Sequence, residues 1–104
     1  MSESSETAKL KLVTILASFE LGGRITSDLR ELGVSGYTKA KADGWGVHGA
    51  RQFGFVDGAN VRVDTLVSAE LAYKILQIVA KNFAGQPVVA FSCDAEAVPS
   101  RHFE

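Results

Sequence analysis

The stretch "NVRVDTLVSAELAYKILQIVAKNF", residues 60–83, decides the fold. Its first eight residues alternate, with Val61, Val63 and Thr65 on one face, and predict a strand over Asn60–Val67. Ser68 follows at once as an N-cap. Glu70 puts a negative charge in the first turn, where unpaired backbone amides favour it. Leu71, Ile75, Ile78, Val79 and Asn82 then trace one side of a helix, with Leu71, Ile75 and Ile78 as its apolar part. Gly85 and Pro87 end it. A strand running straight into a capped helix is half of a β-α-β unit, so the flanking segments determine the architecture.

Downstream, "VVAFSC" (Val88–Cys93) reads as a further strand, apolar on both faces, and "DAEAVPSRHFE" as a tail that Pro99 keeps from forming a long helix. Upstream, "KLKLVTILAS" (Lys9–Ser18) is a strand rich in aliphatic and β-branched residues on both faces. "ELGGRITSDLRELGV" predicts a helix over Leu21–Leu32, with Leu21, Ile25, Leu29 and Leu32 as one stripe and Gly33 as the residue past its end. Gly22 and Gly23 each cost about 1 kcal/mol relative to alanine and predict a late start. "SGYTKAKAD" (Ser35–Asp43) alternates, with Tyr37, Lys39 and Lys41 on one face and Thr38, Ala40 and Ala42 on the other. Tyr37 and Tyr73 read as packing residues, and Cys93, in a strand expected to be central, as a small buried hydrophobe.

The order is therefore β-α-β-β-α-β, an α+β, ferredoxin-like fold with a four-stranded antiparallel sheet and two helices on one face. Two helices cover one face only, yet the first and last strands are apolar on both. A wet face should alternate apolar with polar. The second face is expected to meet other copies of the chain, in a homo-oligomer of closed symmetry.

Composition narrows the function classes. The 104 residues allow one domain, read as a disordered tail over residues 1–8 and a single domain over 9–104. With 11 basic and 12 acidic residues and a net charge of −1, the chain lacks the basic surface that nucleic acid requires. No apolar run approaches the ~18 residues of a membrane span, and the polar, acidic start does not resemble a signal peptide; the expectation is a cytoplasmic protein with no direct membrane insertion. The single cysteine excludes an internal disulfide and a cysteine zinc site. His48 and His102 have no paired acidic or cysteine ligands nearby, so no metal site is expected.

The span between the second and third strands holds "GWGVHG" (Gly44–Gly49), which fits the G-x-G-x-x-G template. In a dinucleotide fold a helix follows that template. Here "ARQFGFVDGAN" follows, without helical periodicity and broken by Gly54 and Gly58, so the loop is not a Rossmann turn. A loop of this length inside a compact domain is usually functional. His48 and Arg51 are its only cationic or cationisable residues, and either bind a small anion with the neighbouring amides or stay solvated or touch a partner. Phe53 and Phe55 read as anchors for a protein partner, against the alternative, shared with Trp45, of plugging the core.

The order and spacing of "GVSGYT" (33–38), the Gly44 and Gly46 pair, "NVRVDTLV", "AELAYKILQIVAKNF" and "VVAFSCDAEAV", with Arg101 beyond, resemble the PII signalling family. The likeness is closer to its PII-like branch linked to inorganic carbon, which includes SbtB-type and carboxysome-associated proteins. The resemblance implies a homotrimer with an adenine nucleotide in each intersubunit cleft, and a T-loop over about residues 45–59 that grips or releases a protein partner, a transporter or a carbon-fixation component. It implies contact of the nucleotide with Thr38, Gly44, Gly46, Gly85, Arg101 and His102. It also implies bicarbonate beside the nucleotide, at Gly46, Val47, His48, Gly49 and Arg51, where a bidentate arginine suits a carboxylate-like ion. No covalently bound cofactor is expected, and association with a carboxysome is implied.

The departures from the family pattern are specific. The place of its lysine-containing triphosphate loop reads "NFAGQPVV", with only Gly85 kept, which favours ADP or AMP over ATP. From Gly44 to Asn60 there is no Ser, Thr or Tyr, so hydroxyl-linked modification of the loop is excluded. The C-terminal cysteine pair of some SbtB proteins is absent. The expectation is a ligand sensor rather than an enzyme, with a slow nucleotide hydrolase or a CutA-like trimer as the alternatives.

Overall fold

The computed structural model of the chain describes residues 7–44 and 59–98. The elements are β1 (Ala8–Ser18), α1 (Gly22–Glu31), β2 (Thr38–Ala42), β3 (Asn60–Val67), α2 (Ala69–Asn82) and β4 (Val88–Ala97), with a single 3-10 turn, Phe19–Leu21, between β1 and α1. The sheet is antiparallel in the order β2-β3-β1-β4. The expected β-α-β-β-α-β architecture is present.

The core lies between the sheet and the helices. Val13, Ile15 and Ala17 of β1 and Val61, Val63 and Val67 of β3 pack with Ile25 and Leu29 of α1 and Ala72 and Ile75 of α2. Each aliphatic side chain taken out of water contributes about 1.5–3 kcal/mol, and Val13, Val63 and Ile75 are wholly buried. Both helices thus cover one face. Gly22 packs over β3: a Cβ there would stand 3.6 Å from Val61 Cγ1, an ordinary van der Waals contact. Ser68 caps α2 as expected, its Oγ accepting from the Leu71 amide at 3.2 Å. Gly33 ends α1 with φ +92°, a conformation that costs a side chain about 1–2 kcal/mol.

Several expectations are corrected. Both glycines lie inside α1, and the preceding 3-10 turn supplies the start that a late helix was expected to need. The inward side of α2 carries Ala72 and Ile75, with Leu71, Leu76 and Val79 packed against the core, while Ile78 stands outside it; alanine at 72 tilts the buried stripe in a way a count of large residues misses. β2 is shorter than Ser35–Asp43. β4 runs past Cys93 to Ala97, because Asp94–Ala97 pair with the first residues of β1. Lys11 Nζ meets Asp94 Oδ1 there at 2.6 Å. β4 is an edge strand, so Cys93 is exposed rather than buried. Ala8, assigned to the tail, opens β1. The tyrosines are not core packing: Tyr73 is 63% exposed, and Tyr37 stands at the surface, accepting from Arg30 Nη1 at 2.8 Å.

The helix-free face divides lengthwise. Toward β1 and β4 it is apolar: Leu12 lies opposite Cys93, Leu16 opposite Val89, and Phe91 beside Thr14. Toward β2 and β3 it is polar, in three rows set by the register. Thr38, Asp64 and Thr14 form one, Ala40, Arg62 and Leu16 the next, and Ala42, Asn60 and Ser18 the third. Successive rows stand about 7 Å apart along the strands.

Candidate functional site

Strand alternation assembles the site. Because Val61, Val63 and Thr65 point into the core, Arg62, Asp64 and Leu66 must face the open side. Asp64 is the centre of this group. Its Oδ1 accepts from Thr14 Oγ1 at 2.7 Å and its Oδ2 from Arg62 Nε at 2.9 Å. Burial pushes the Asp64 carboxyl up, but the hydrogen bonds from Arg62 and Thr14 and the Arg62 charge outweigh it and hold the group below the ordinary carboxylate range. The same hydrogen bond and charge raise Arg62. Asp64 is therefore an ionised, fixed acceptor at neutral pH.

Thr38 stands across from Asp64 on β2. Together they line a cavity of about 300 Å³ with Leu12 and Leu66 as apolar walls and residues 35–37 as its rim. An apolar slot with a carboxylate and hydroxyls converging at one side suits a flat heterocycle carrying a hydroxylated sugar. From this cavity the polar rows run toward the root of the span between β2 and β3. The last row there holds Asn60, 1% exposed, and Ser18, 4% exposed. The Ser18 Oγ is buried and has no hydrogen-bond partner among the described residues. Phe19, Lys41, Ala42, Asp43, Ala59 and Asn60 frame a further cavity at that root.

Of the residues predicted from sequence, Thr38 lies in the first cavity, and Gly44 lies two residues past the end of β2. Gly85 lies in the α2–β4 turn with φ +78° and lines a separate, largely apolar cavity with Leu76, Val79, Phe83 and Val88. Within one chain Thr38 and Gly85 therefore sit at opposite edges of the sheet. Gly46, Val47, His48, Gly49, Arg51, Phe53, Phe55, Arg101 and His102 lie outside the described residues. Among the described residues no three His, Cys, Asp or Glu side chains gather as metal ligands. Sequence reading missed Arg62, Asp64 and Ser18. The signal was available: an Arg-x-Asp pair in a strand whose alternate residues are apolar puts both charges on the open face.

A split sheet face, apolar on one half and polar on the other, with a cavity at the border, leaves an apolar surface for a further chain to cover beside a polar cavity. The family model of nitrogen regulatory protein P-II matches residues 10–99, and the chain belongs to that family. A PII-like signalling protein from Thermus thermophilus is similar over 95% of this chain and 99% of its own, with 33% identity and a TM-score of 0.79. CPII from Thiomonas intermedia, solved with ADP and bicarbonate, is 25% identical over 95% of this chain and 98% of its own, with a TM-score of 0.79. The same protein with ADP, AMP and acetate shares the fold at 23% identity over 94% of this chain and 97% of its own, with a TM-score of 0.80. Comparison with curated protein sequences finds no match. The family and PII-like branch are those expected from the sequence. Among the described residues no helix is long and apolar enough to cross a membrane.

Proposed function

We propose that the chain is a PII-like regulator that senses adenine nucleotide, ADP or AMP, together with bicarbonate, and signals through residues 45–59 to a protein of inorganic-carbon uptake or fixation. The observation that carries this reading is the cavity between Thr38, Asp64, Leu12 and Leu66, set at the border of an uncovered apolar half-face. Three copies joined through those half-faces form the proposed trimer. The join brings the Thr38 edge of one copy toward the Gly85 turn of the next, uniting residues that one chain keeps apart. The adenosine lies in the cavity with its sugar hydroxyls toward Asp64. Its phosphates follow the polar rows to the loop root. The bicarbonate reading rests on Gly46–Arg51 and on the CPII complex with ADP and bicarbonate.

The chain acts by binding rather than turnover. A ligand shifts a loop only by its difference in affinity for the loop's two arrangements, so nucleotide and bicarbonate must each bind one arrangement better. Calorimetry with AMP, ADP and ATP, alone and with bicarbonate, tests the reading. The expected results are saturable ADP or AMP binding, tightened by bicarbonate, and no multiple-turnover phosphate release. Failure of every adenine nucleotide to bind would favour a CutA-like trimer, and sustained phosphate release would favour the hydrolase.

A further inference from the structure

We propose that Arg62 is a phosphate-binding residue of this chain, supplying from β3 the cation that the α2–β4 turn lacks. This rests on the nucleotide reading above and adds a residue to it. No Lys or Arg occurs from Phe83 to Phe91, so the turn offers a diphosphate only amides and a glycine. Two negative charges drawn from water need a countercharge nearby.

Three observations point to Arg62. Register puts it on the open face, one row from Asp64 toward the loop root, on the path from the cavity to Gly44. Its side chain is 49% exposed. Only its Nε is engaged, by Asp64 Oδ2 at 2.9 Å, so both terminal nitrogens have no partner among the described residues. Asp64 thereby fixes the plane of the guanidinium and leaves its fork pointing away from the carboxylate, ready for two phosphate oxygens. The following row adds an independent sign: Ser18 Oγ is buried without a partner among the described residues, a polar group left to be satisfied beside the proposed phosphate path. Asp64 and Arg62 then divide the ligand between them. The carboxylate takes sugar hydroxyls and the guanidinium takes phosphate, and their mutual ion pair keeps the two one strand-pair repeat apart.

The test is a ligand ladder of adenosine, AMP, ADP and inorganic pyrophosphate, measured by calorimetry on the full-length protein, wild type and Arg62→Met. The expected result is a loss of about 10- to 100-fold in ADP affinity, the effect of removing hydrogen bonds to a charged group. AMP should lose less, and adenosine should stay within about twofold. Unchanged ADP affinity in Arg62→Met overturns the proposal. So does an equal loss for adenosine, which would mean that Arg62 acts only by holding Asp64. Pyrophosphate binding that ignores the substitution also overturns it. If wild type binds no adenine ligand at all, the nucleotide reading fails first and this assignment with it. Should Arg62→Met fail to fold, Arg62→Lys decides the matter: a point charge replaces the fork, and ADP weakens severalfold while adenosine does not.

Discussion

Replacing Phe91 with aspartate tests whether the uncovered half-face is where copies meet. Phe91 is 46% exposed, in the middle of an edge strand beside Thr14 and flanked by Val89 and Cys93 on the same face. A phenylalanine presents roughly 200 Å² in an open chain, so about 90 Å² remains to be covered. At about 25 cal/mol per Å² that is about 2 kcal/mol for each copy. Three copies meet in the proposed ring, giving about 7 kcal/mol, or about five powers of ten in its dissociation constant. Aspartate adds the cost of removing a charge from water. Sedimentation velocity and light scattering across a dilution series should show wild type as a trimer and Phe91→Asp as a monomer. Tyr73→Asp is the control. Tyr73 is more exposed, at 63%, but lies on the outer side of α2, so its replacement should leave the assembly intact. A Phe91→Asp chain that stays trimeric wherever wild type does would refute the reasoning.

Ile75→Ala opens a cavity at a wholly buried position of α2 and should cost about 2–5 kcal/mol, read from the urea midpoint. Ser68→Ala removes the α2 cap and should cost about 1 kcal/mol without altering ligand affinity, since the cap is remote from the cavity. Thr14→Val deletes a buried donor to Asp64 and should cost about 1–2 kcal/mol at neutral pH, discounted because Asp64 is partly solvated. The folded state holds Asp64 below its ordinary value, so its bonds stabilise the fold fully above the unfolded pKa, near 4, and the gain is lost as pH falls through the folded value. Denaturant titrations of wild type and Thr14→Val should therefore differ most at neutral pH and converge below about pH 4.

Most of the fold was legible because it follows from local chemistry. The β3–α2 junction is set by alternation and a serine cap, and both fall at the predicted residues. Errors arose where pairing decided the outcome. "DAEA" lacks a strand's composition, yet the long β1 gives each of its residues a partner. Cys93 looked central because its strand is apolar, but apolarity reports what covers a strand, not its rank in the sheet order. Of the residues lining the cavity, Thr38 was named through the family likeness and Asp64 through neither route. A charged residue in a strand reads as a solvent-facing residue, and the cross-strand position of Thr14, distant in sequence, joins Arg62 in making Asp64 a fixed acceptor.

In the proposed sensor, the end of β1 is the segment through which a ligand on the open face would bear on residues 45–59. Three features of the site converge there. Ser18 closes the last polar row, its amide donates to the Pro87 carbonyl at 3.3 Å, and the next amide, of Phe19, donates to the Ala59 carbonyl at 3.1 Å. One short backbone segment thus ties the polar rows to the start of β3, where the loop rejoins the sheet, and to the turn that carries Gly85. In the proposed trimer, a phosphate drawn toward Arg62 and Ser18 would act on a point bonded to the chain's own loop root and to its own Gly85 turn, which faces the next copy. Such coupling would leave the core in place, because packed aliphatic side chains on the helix face hold β1 and β3, and the polar strand end is the part left to respond.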